Sequence, residues 1–180
     1  MPLTLTVPKT ELYDRETGQF VTVKETTLTL EHSLVSLAKW ESKWEKPYLS
    51  KAAKTNEEVL DYIKCMTLTK NVDPNVYKAF TEENFLQIKE YIEKPHTATT
   101  INEQDSRGKS MVMTAEVIYW SMIAQNIPKE FEKWHLNRLI TLIRVCAIKN
   151  APPKKRGFSK TQSHYKAIND ARRKMYNSKG

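Results

Sequence analysis

One stretch, from Trp134 to Asn150, constrains the fold most strongly because it carries the clearest helical pattern in the chain. Its apolar residues, together with the preceding Phe131, recur at the spacing of one face of an α-helix. This face consists of Phe131, Trp134, Leu139, Leu142, Ile143 and Cys146. Pro128 suits a first helical turn, and Pro152 and Pro153 end the pattern. We therefore predict a core helix that starts at Pro128 and ends before Pro152.

The positive charge of the chain is concentrated after this predicted helix. Residues 149–180 contain ten Lys or Arg and one acid, a net charge of +9, whereas the whole chain of 180 residues carries +8. The preceding part is therefore close to neutral, at −1. We expect any electrostatic partner to bind at the basic tail.

Length and composition predict one soluble domain with an appendage. A chain of this size can bury a proper core, and no run reaches the 18 or more apolar residues of a membrane span. The first residues lack the basic start and apolar centre of a secretory signal, which predicts a cytoplasmic protein without membrane contact. Cys65 and Cys146 have no metal-ligand or CxxC spacing and are predicted to be buried thiols.

The order of the local patterns predicts an α+β fold that is mainly α, with a small N-terminal β-hairpin. Residues 2–7 and 20–30 alternate apolar and polar side chains, with turn residues at 14–18 between them. Helical patterns follow, and they predict a bundle-like core of about five helices plus a basic C-terminal helix or arm. The predicted divisions are 1–30 for the hairpin, 31–151 for the helical core and 152–180 for the tail.

Two sequence features of the predicted core helices bear on function. The segment 114–124 is apolar on nearly every side, which predicts a buried central helix. Trp40 and Trp44 stand four residues apart and share a helix face. This pair fits a core contact, since aromatic residues at helical spacing are usually buried. The alternative is an exposed aromatic anchor for a partner, because Trp is favoured at interfaces.

The basic tail supplies the other candidate binding residues. Lys154, Lys155, Arg156 and Arg173 provide charge. Tyr165, Ile168, Arg172 and Met175 recur at helical offsets, so residues 163–176 are predicted to form a basic amphipathic helix. Such a helix suits a protein groove, and we favour a protein partner. A nucleic acid is the alternative, with Lys and Arg neutralising phosphates and aromatic rings stacking on bases.

Catalytic signatures are not found in the sequence. The chain has four glycines and lacks HExxH, GxSxG and a dinucleotide-binding fingerprint. The four histidines are scattered, and His135 is interpreted as a hydrogen-bonded packing residue. We expect neither an enzyme nor a bound cofactor or metal.

Three blocks and a proline-lysine segment resemble a group of tailed-bacteriophage proteins encoded among the tail-morphogenesis genes. The blocks are LEHSLVSLAKWESKWEKPYL (30–49), TAEVIYWSMIAQNIP (114–128) and EKWHLNRLITLIRVCAIKN (132–150), and PPKK follows the last of them. The likeness extends over most of the chain, including the hairpin and the basic end. It carries no catalytic residue that could be transferred.

The resemblance implies a tail assembly chaperone in the cytoplasm of an infected bacterium. Such a chaperone binds the tape-measure protein, a long helical chain with exposed apolar surface, and keeps it soluble until the tail tube forms. The competing hypothesis is a structural protein of the tail or head–tail connector in the virion. Its basic arm would contact DNA or a neighbouring subunit, and its hairpin edge would allow self-association.

Overall fold

The chain forms two compact units, Met1–Ile148 and Lys149–Gly180. The structure is a computed structural model, and it describes residues 1–14, 18–101, 112–151 and 158–177. Its secondary structure is α+β, with antiparallel strands at the N-terminal end followed by helices. This confirms the predicted class.

The N-terminal strands make one long hairpin that is interrupted midway. The strands are β1 (Leu3–Val7), β2 (Thr10–Asp14), β3 (Gln19–Val23) and β4 (Thr26–Leu30). β1 pairs with β4 and β2 pairs with β3, both antiparallel. Two residues separate the ladders on each side, and Pro8 is one of them, so an N–H that could continue the ladder is missing there. The alternation had predicted only the strands at 2–7 and 20–30, because β2 contains two charged residues among its five.

The two parts of the hairpin differ in burial. In the base, formed by β1 and β4, Leu5 and Leu28 face each other in the buried core. In the outer part, formed by β2 and β3, Val23 is buried, but Tyr13 and Phe20 are exposed. We call β2 and β3 together the outer arm.

The helices follow the hairpin and begin at well-formed N-caps. They are α1 (Leu34–Trp44), α2 (Asn56–Met66), α3 (Pro74–Lys78), α4 (Glu82–Glu93), α5 (Ala115–Ala124), α6 (Leu136–Asn150) and α7 (Phe158–Met175), with a 3₁₀ helix at Lys129–Lys133. Ser33, Thr55 and Thr81 cap α1, α2 and α4, each in a reciprocal capping box. Each cap satisfies N–H groups that a helix start leaves free, which stabilises the fold by about 1 kcal/mol.

The predicted start of the core helix at Pro128 is wrong, because α6 begins at Leu136. His135 forms an isolated antiparallel bridge with Ser33, and Leu136 N–H donates to His32 C=O at 2.7 Å. This pairing holds the chain extended between the 3₁₀ helix and α6. The buried face is accordingly shorter than predicted and consists of Leu136, Leu139 and Ile143.

Trp134 packs at this break instead of within a helix. Its backbone is extended, its ring stacks on Phe131 at a centroid distance of 4.1 Å, and the Arg138 guanidinium lies 3.9 Å from its ring centroid. Both Phe131 and Trp134 are half-buried. The two rings therefore support the turn into α6 at the edge of the core.

Candidate functional site

The Trp pair on α1 belongs to the interior. Trp40 is 1% exposed, and its indole N–H donates to the Glu58 backbone carbonyl at 2.9 Å. Its ring meets Tyr48 at 5.0 Å in an edge contact, and Tyr48 stacks on Tyr62 at 3.7 Å. Trp40 therefore cannot contact a partner. Of the two alternatives for this residue, the core contact is the one observed.

Trp44 lies at the margin of the same aromatic cluster. Its ring stacks on Trp40 at 6.0 Å, and its indole N–H donates to the Asp61 carboxylate at 2.9 Å. Lys43 forms an ion pair with that carboxylate. The half-buried Trp44 is thus held in place by its contacts with Trp40 and Asp61.

The exposed aromatic anchor lies instead on α5. Trp120 is 67% exposed and Ile123 is 75% exposed, and they stand three residues apart on one side of the helix. The opposite side is buried through Ala115, Ile118 and Met122. The prediction that this helix is buried all round is therefore wrong. We call the exposed side, with Glu116, Trp120, Ile123 and Ala124, the α5 face.

The sequence did not predict the α5 face because this helix has no polar side to distinguish from an apolar one. Apolar residues occupy both sides, so periodicity cannot tell which side meets the core. A surface helix normally shows polar residues on its outer side. On α5 the only charged residue is Glu116, and this scarcity of polar residues was the available signal that its outer side is apolar.

α5 is fixed rigidly by contacts on its inner side and at its start. One oxygen of the buried Glu41 carboxylate accepts from Ala115 N–H at 2.7 Å, and the other accepts from Tyr48 N–H at 2.8 Å. Burial raises the pKa of Glu41, although the two backbone N–H groups partly offset this. The Tyr119 hydroxyl donates to Glu132 at 2.8 Å. These bonds hold the α5 face in one orientation.

The second unit contains the basic helix α7, which is longer than the predicted segment 163–176. Tyr165 and Met175 are exposed, Ile168 is half-buried, and Arg172 and Arg173 are exposed. Both arginines lie in the last turn, where cations favour the negative end of the helix dipole. The predicted contact residues Lys154, Lys155 and Arg156 lie outside the described residues.

Three histidines, His32, His96 and His135, form a cluster in which His32 and His135 are buried and His96 is half-buried. The ring centroids of His96 and His135 are 3.9 Å apart, and those of His32 and His135 are 5.1 Å apart. The Nε2 atoms of His96 and His135 both donate to the Tyr91 backbone carbonyl at 3.2 Å. Asn137 N–H donates to Nδ1 of His135, so that ring is neutral.

Burial keeps the two inner imidazoles of this cluster uncharged. Burial, together with the neighbouring imidazoles, lowers the pKa of His32 to about 3 and that of His135 to about 4. The Tyr62 hydroxyl lies 2.6 Å from Nδ1 of His32, and the Tyr91 hydroxyl donates to Glu31 at 2.7 Å. The cluster is therefore occupied by internal hydrogen bonds, which is how a packing histidine behaves.

Two clefts lie between α2, α3 and α4, and both are lined mainly by apolar side chains. Their volumes are about 430 and 340 Å³, and they share Val59 and Phe85. Lys78 is the charged side chain that lines the larger cleft, and Lys89 and Glu93 line the smaller one. Within the described ranges, no group of three or more His, Cys, Asp or Glu is arranged to hold a metal ion.

Comparison with known proteins gives no relative. No protein-family model matches the chain, and neither a curated protein nor a solved structure matches it significantly. Among the helices that the structure describes, none is both long enough and apolar enough to cross a membrane.

Proposed function

We propose that the chain is a tail assembly chaperone that binds the phage tape-measure protein and keeps it soluble. The α5 face is the single observation that carries this proposal. A Trp and an Ile that are mostly exposed, on a helix fixed at its start by Glu41, form a prepared surface for an apolar partner. The resemblance to tail-morphogenesis proteins supplies the identity of that partner.

A helical client suits the α5 face because the face is itself a helical stripe. Side chains at positions i, i+3 and i+4 form a ridge that packs into the groove of a second helix. Trp120, Ile123 and Ala124 have this spacing. Covering them removes apolar area from water on both partners, and each large side chain contributes roughly 1.5–3 kcal/mol when fully buried.

Helix α7 provides the second contact of the proposal. Its exposed Tyr165 and Met175 can cover apolar client surface, while Arg172 and Arg173 attract acidic client residues. Because exposed charges are screened by salt, this contribution falls as ionic strength rises. The α5 contact depends far less on salt, since it is apolar.

Replacement of Trp120 tests the α5 contact. We expect Trp120→Ala to weaken binding of the tape-measure protein at least tenfold, because truncation of a central Trp anchor costs about 2 kcal/mol or more. The measurement is the soluble fraction of the client on co-expression, followed by titration of the purified pair. Leu86→Ala is the matched control, because Leu86 is comparably exposed at 63% but lies on α4. Equal capture by wild type and Trp120→Ala would contradict the α5 contact.

Deletion of residues 154–180 tests the tail contact. We expect weaker client capture and a smaller salt dependence, while the unit Met1–Ile148 keeps its helical circular dichroism and its cooperative unfolding. If the truncated chain still keeps the client soluble at every salt concentration, the tail is not a binding element. The α5 face then carries the interaction alone.

The alternative is a structural virion protein of the tail or head–tail connector. The outer arm favours it, because an unpaired strand edge suits contacts between repeated subunits. Mass spectrometry of purified virions separates the two functions. Stoichiometric presence in the virion contradicts the chaperone, and absence contradicts the structural protein.

A further inference from the structure

We propose that the outer arm joins two copies of this chain, through antiparallel pairing of β3 with β3 of the second copy. The pairing turns two two-stranded ribbons into one four-stranded sheet. It is independent of the proposed client contact, because it uses β3 and neither α5 nor α7, and it requires no client.

The first support is that the edge of β3 is open. Among the described residues, the backbone of Gln19–Val23 forms its ladder with β2 alone. The inner side of the outer arm, with Leu12 and Val23, packs on the core, but no further strand extends its ladder among the described residues. An isolated two-stranded ribbon is marginally stable in water, whereas three or more strands with an apolar face are stable. The outer arm therefore gains stability by adding strands.

The second support is the difference in charge between the two edges. β2 carries the exposed Glu11, whereas β3 has the sequence QFVTV without a charged residue. Natural edge strands usually resist pairing through charges, proline or bulges. β3 contains neither a charged residue nor a proline, and it is rich in β-branched and aromatic residues, which favour strands. Two β3 strands meet without charge repulsion, whereas two β2 strands would bring two Glu11 carboxylates together.

The third support is the exposed aromatic pair. Tyr13 and Phe20 face each other across the ladder at a centroid distance of 5.2 Å, and they are 58% and 71% exposed. Val23, on the other side of the ribbon, is buried. Pairing through β3 places Phe20 of both copies on the same outer face of the new sheet, where each shields apolar surface of the other.

The area of this contact predicts a weak dimer. Phe20 lies on the pairing strand, whereas Tyr13 lies on β2, one strand farther from the second copy. An aromatic side chain buries roughly 150–250 Å², so each copy contributes Phe20 and one five-residue strand edge, and the total stays below the about 1,200–2,000 Å² of stable interfaces. We expect a dissociation constant on the order of 0.1 mM, so that dimers form at high local concentration.

Sedimentation equilibrium of the full chain tests the proposal directly. Over a range from about 10 µM to about 1 mM, the weight-average mass of the wild type should rise from monomer towards dimer. Phe20→Lys should remain monomeric throughout, because each copy would bring a cation to the shared edge. Phe20 is exposed, so this replacement leaves the core intact.

Thr27→Lys is the matched control, since it adds the same charge at an exposed position of β4 in the hairpin base. It should dimerise like the wild type. Amide hydrogen exchange adds a local readout, in which protection of residues 19–23 increases with protein concentration in wild type and Thr27→Lys only. The proposal is overturned if the wild type stays monomeric to the highest concentration. It is also overturned if Phe20→Lys dimerises normally, or if protection of residues 19–23 does not depend on concentration.

Discussion

Acidification below pH 6.5 is expected to destabilise this chain steeply. In the unfolded chain each histidine titrates near pH 6.5, whereas burial lowers the pKa of His32 to about 3 and that of His135 to about 4 in the folded chain. Below pH 6.5 the unfolded chain therefore binds protons that the folded chain cannot accept. The contribution of these histidines to the free energy of unfolding is fully present above pH 6.5. It is lost progressively as the pH falls towards their folded-state pKa values.

The expected loss is large compared with the stability of a typical domain. Because of His32, which is 2% exposed, the free energy of unfolding falls by about 1.4 kcal/mol per pH unit. The loss between pH 6.5 and pH 4.5 is roughly 3 kcal/mol. His135 adds a smaller amount in the same direction. Typical domains have only about 5–15 kcal/mol in total. Urea unfolding at a series of pH values measures the loss.

A pair of variants isolates the histidine contribution from that of the carboxylates. His32→Asn leaves a polar partner for the Tyr62 hydroxyl but removes the titrating ring, so the dependence on pH between 6.5 and 4.5 should become shallower. His164→Gln is the control, because His164 is exposed on α7 and should leave the dependence unchanged. An unchanged pH dependence in His32→Asn contradicts the assignment.

The second large effect is expected from the two tryptophans that differ in burial. Trp40→Ala should lower the free energy of unfolding by about 3–5 kcal/mol, because it leaves a cavity beside Tyr48 and Tyr62 and frees the Glu58 carbonyl. Trp120→Ala should change it by less than about 0.5 kcal/mol, since Trp120 is mostly exposed. Chemical denaturation of the two variants measures the difference.

Trp40→Phe gives an intermediate test. It keeps most of the ring volume but cannot donate to the Glu58 carbonyl, so its loss should be smaller than that of Trp40→Ala. Similar stability of Trp40→Ala and Trp120→Ala would contradict the assignment of Trp40 to the core. It would also remove the structural basis for treating Trp120 as the functional aromatic residue.

The sequence predicted those elements whose signals are local. A capping box such as those at Thr55 and Thr81 is a local signal, because the capping residue and its partner lie within four positions. The bridge between Ser33 and His135 is not local, since it joins residues about a hundred positions apart. Because of this bridge, α6 begins at Leu136 and not at the predicted Pro128.

The candidate site was harder to predict for the same reason. Spacing shows that Trp40 and Trp44 share a helix face, but it does not show that Tyr48 and Tyr62 cover this face. It also does not show which side of α5 the core leaves uncovered. The stripe of α7 is local and could be predicted, whereas the identity of the exposed aromatic residue depends on tertiary packing.

The interruption of the hairpin limits which insertions and deletions the N-terminal strands can accept. The gaps Pro8–Lys9 and Lys24–Glu25 contain equal numbers of residues, so both ladders stay in phase. Gaining or losing one codon on one side alone would shift the phase and turn every following side chain to the opposite face. With the base held in register by Leu5 and Leu28, the outer arm would be the part that shifts. Length changes at this interruption are therefore tolerated only as matched pairs.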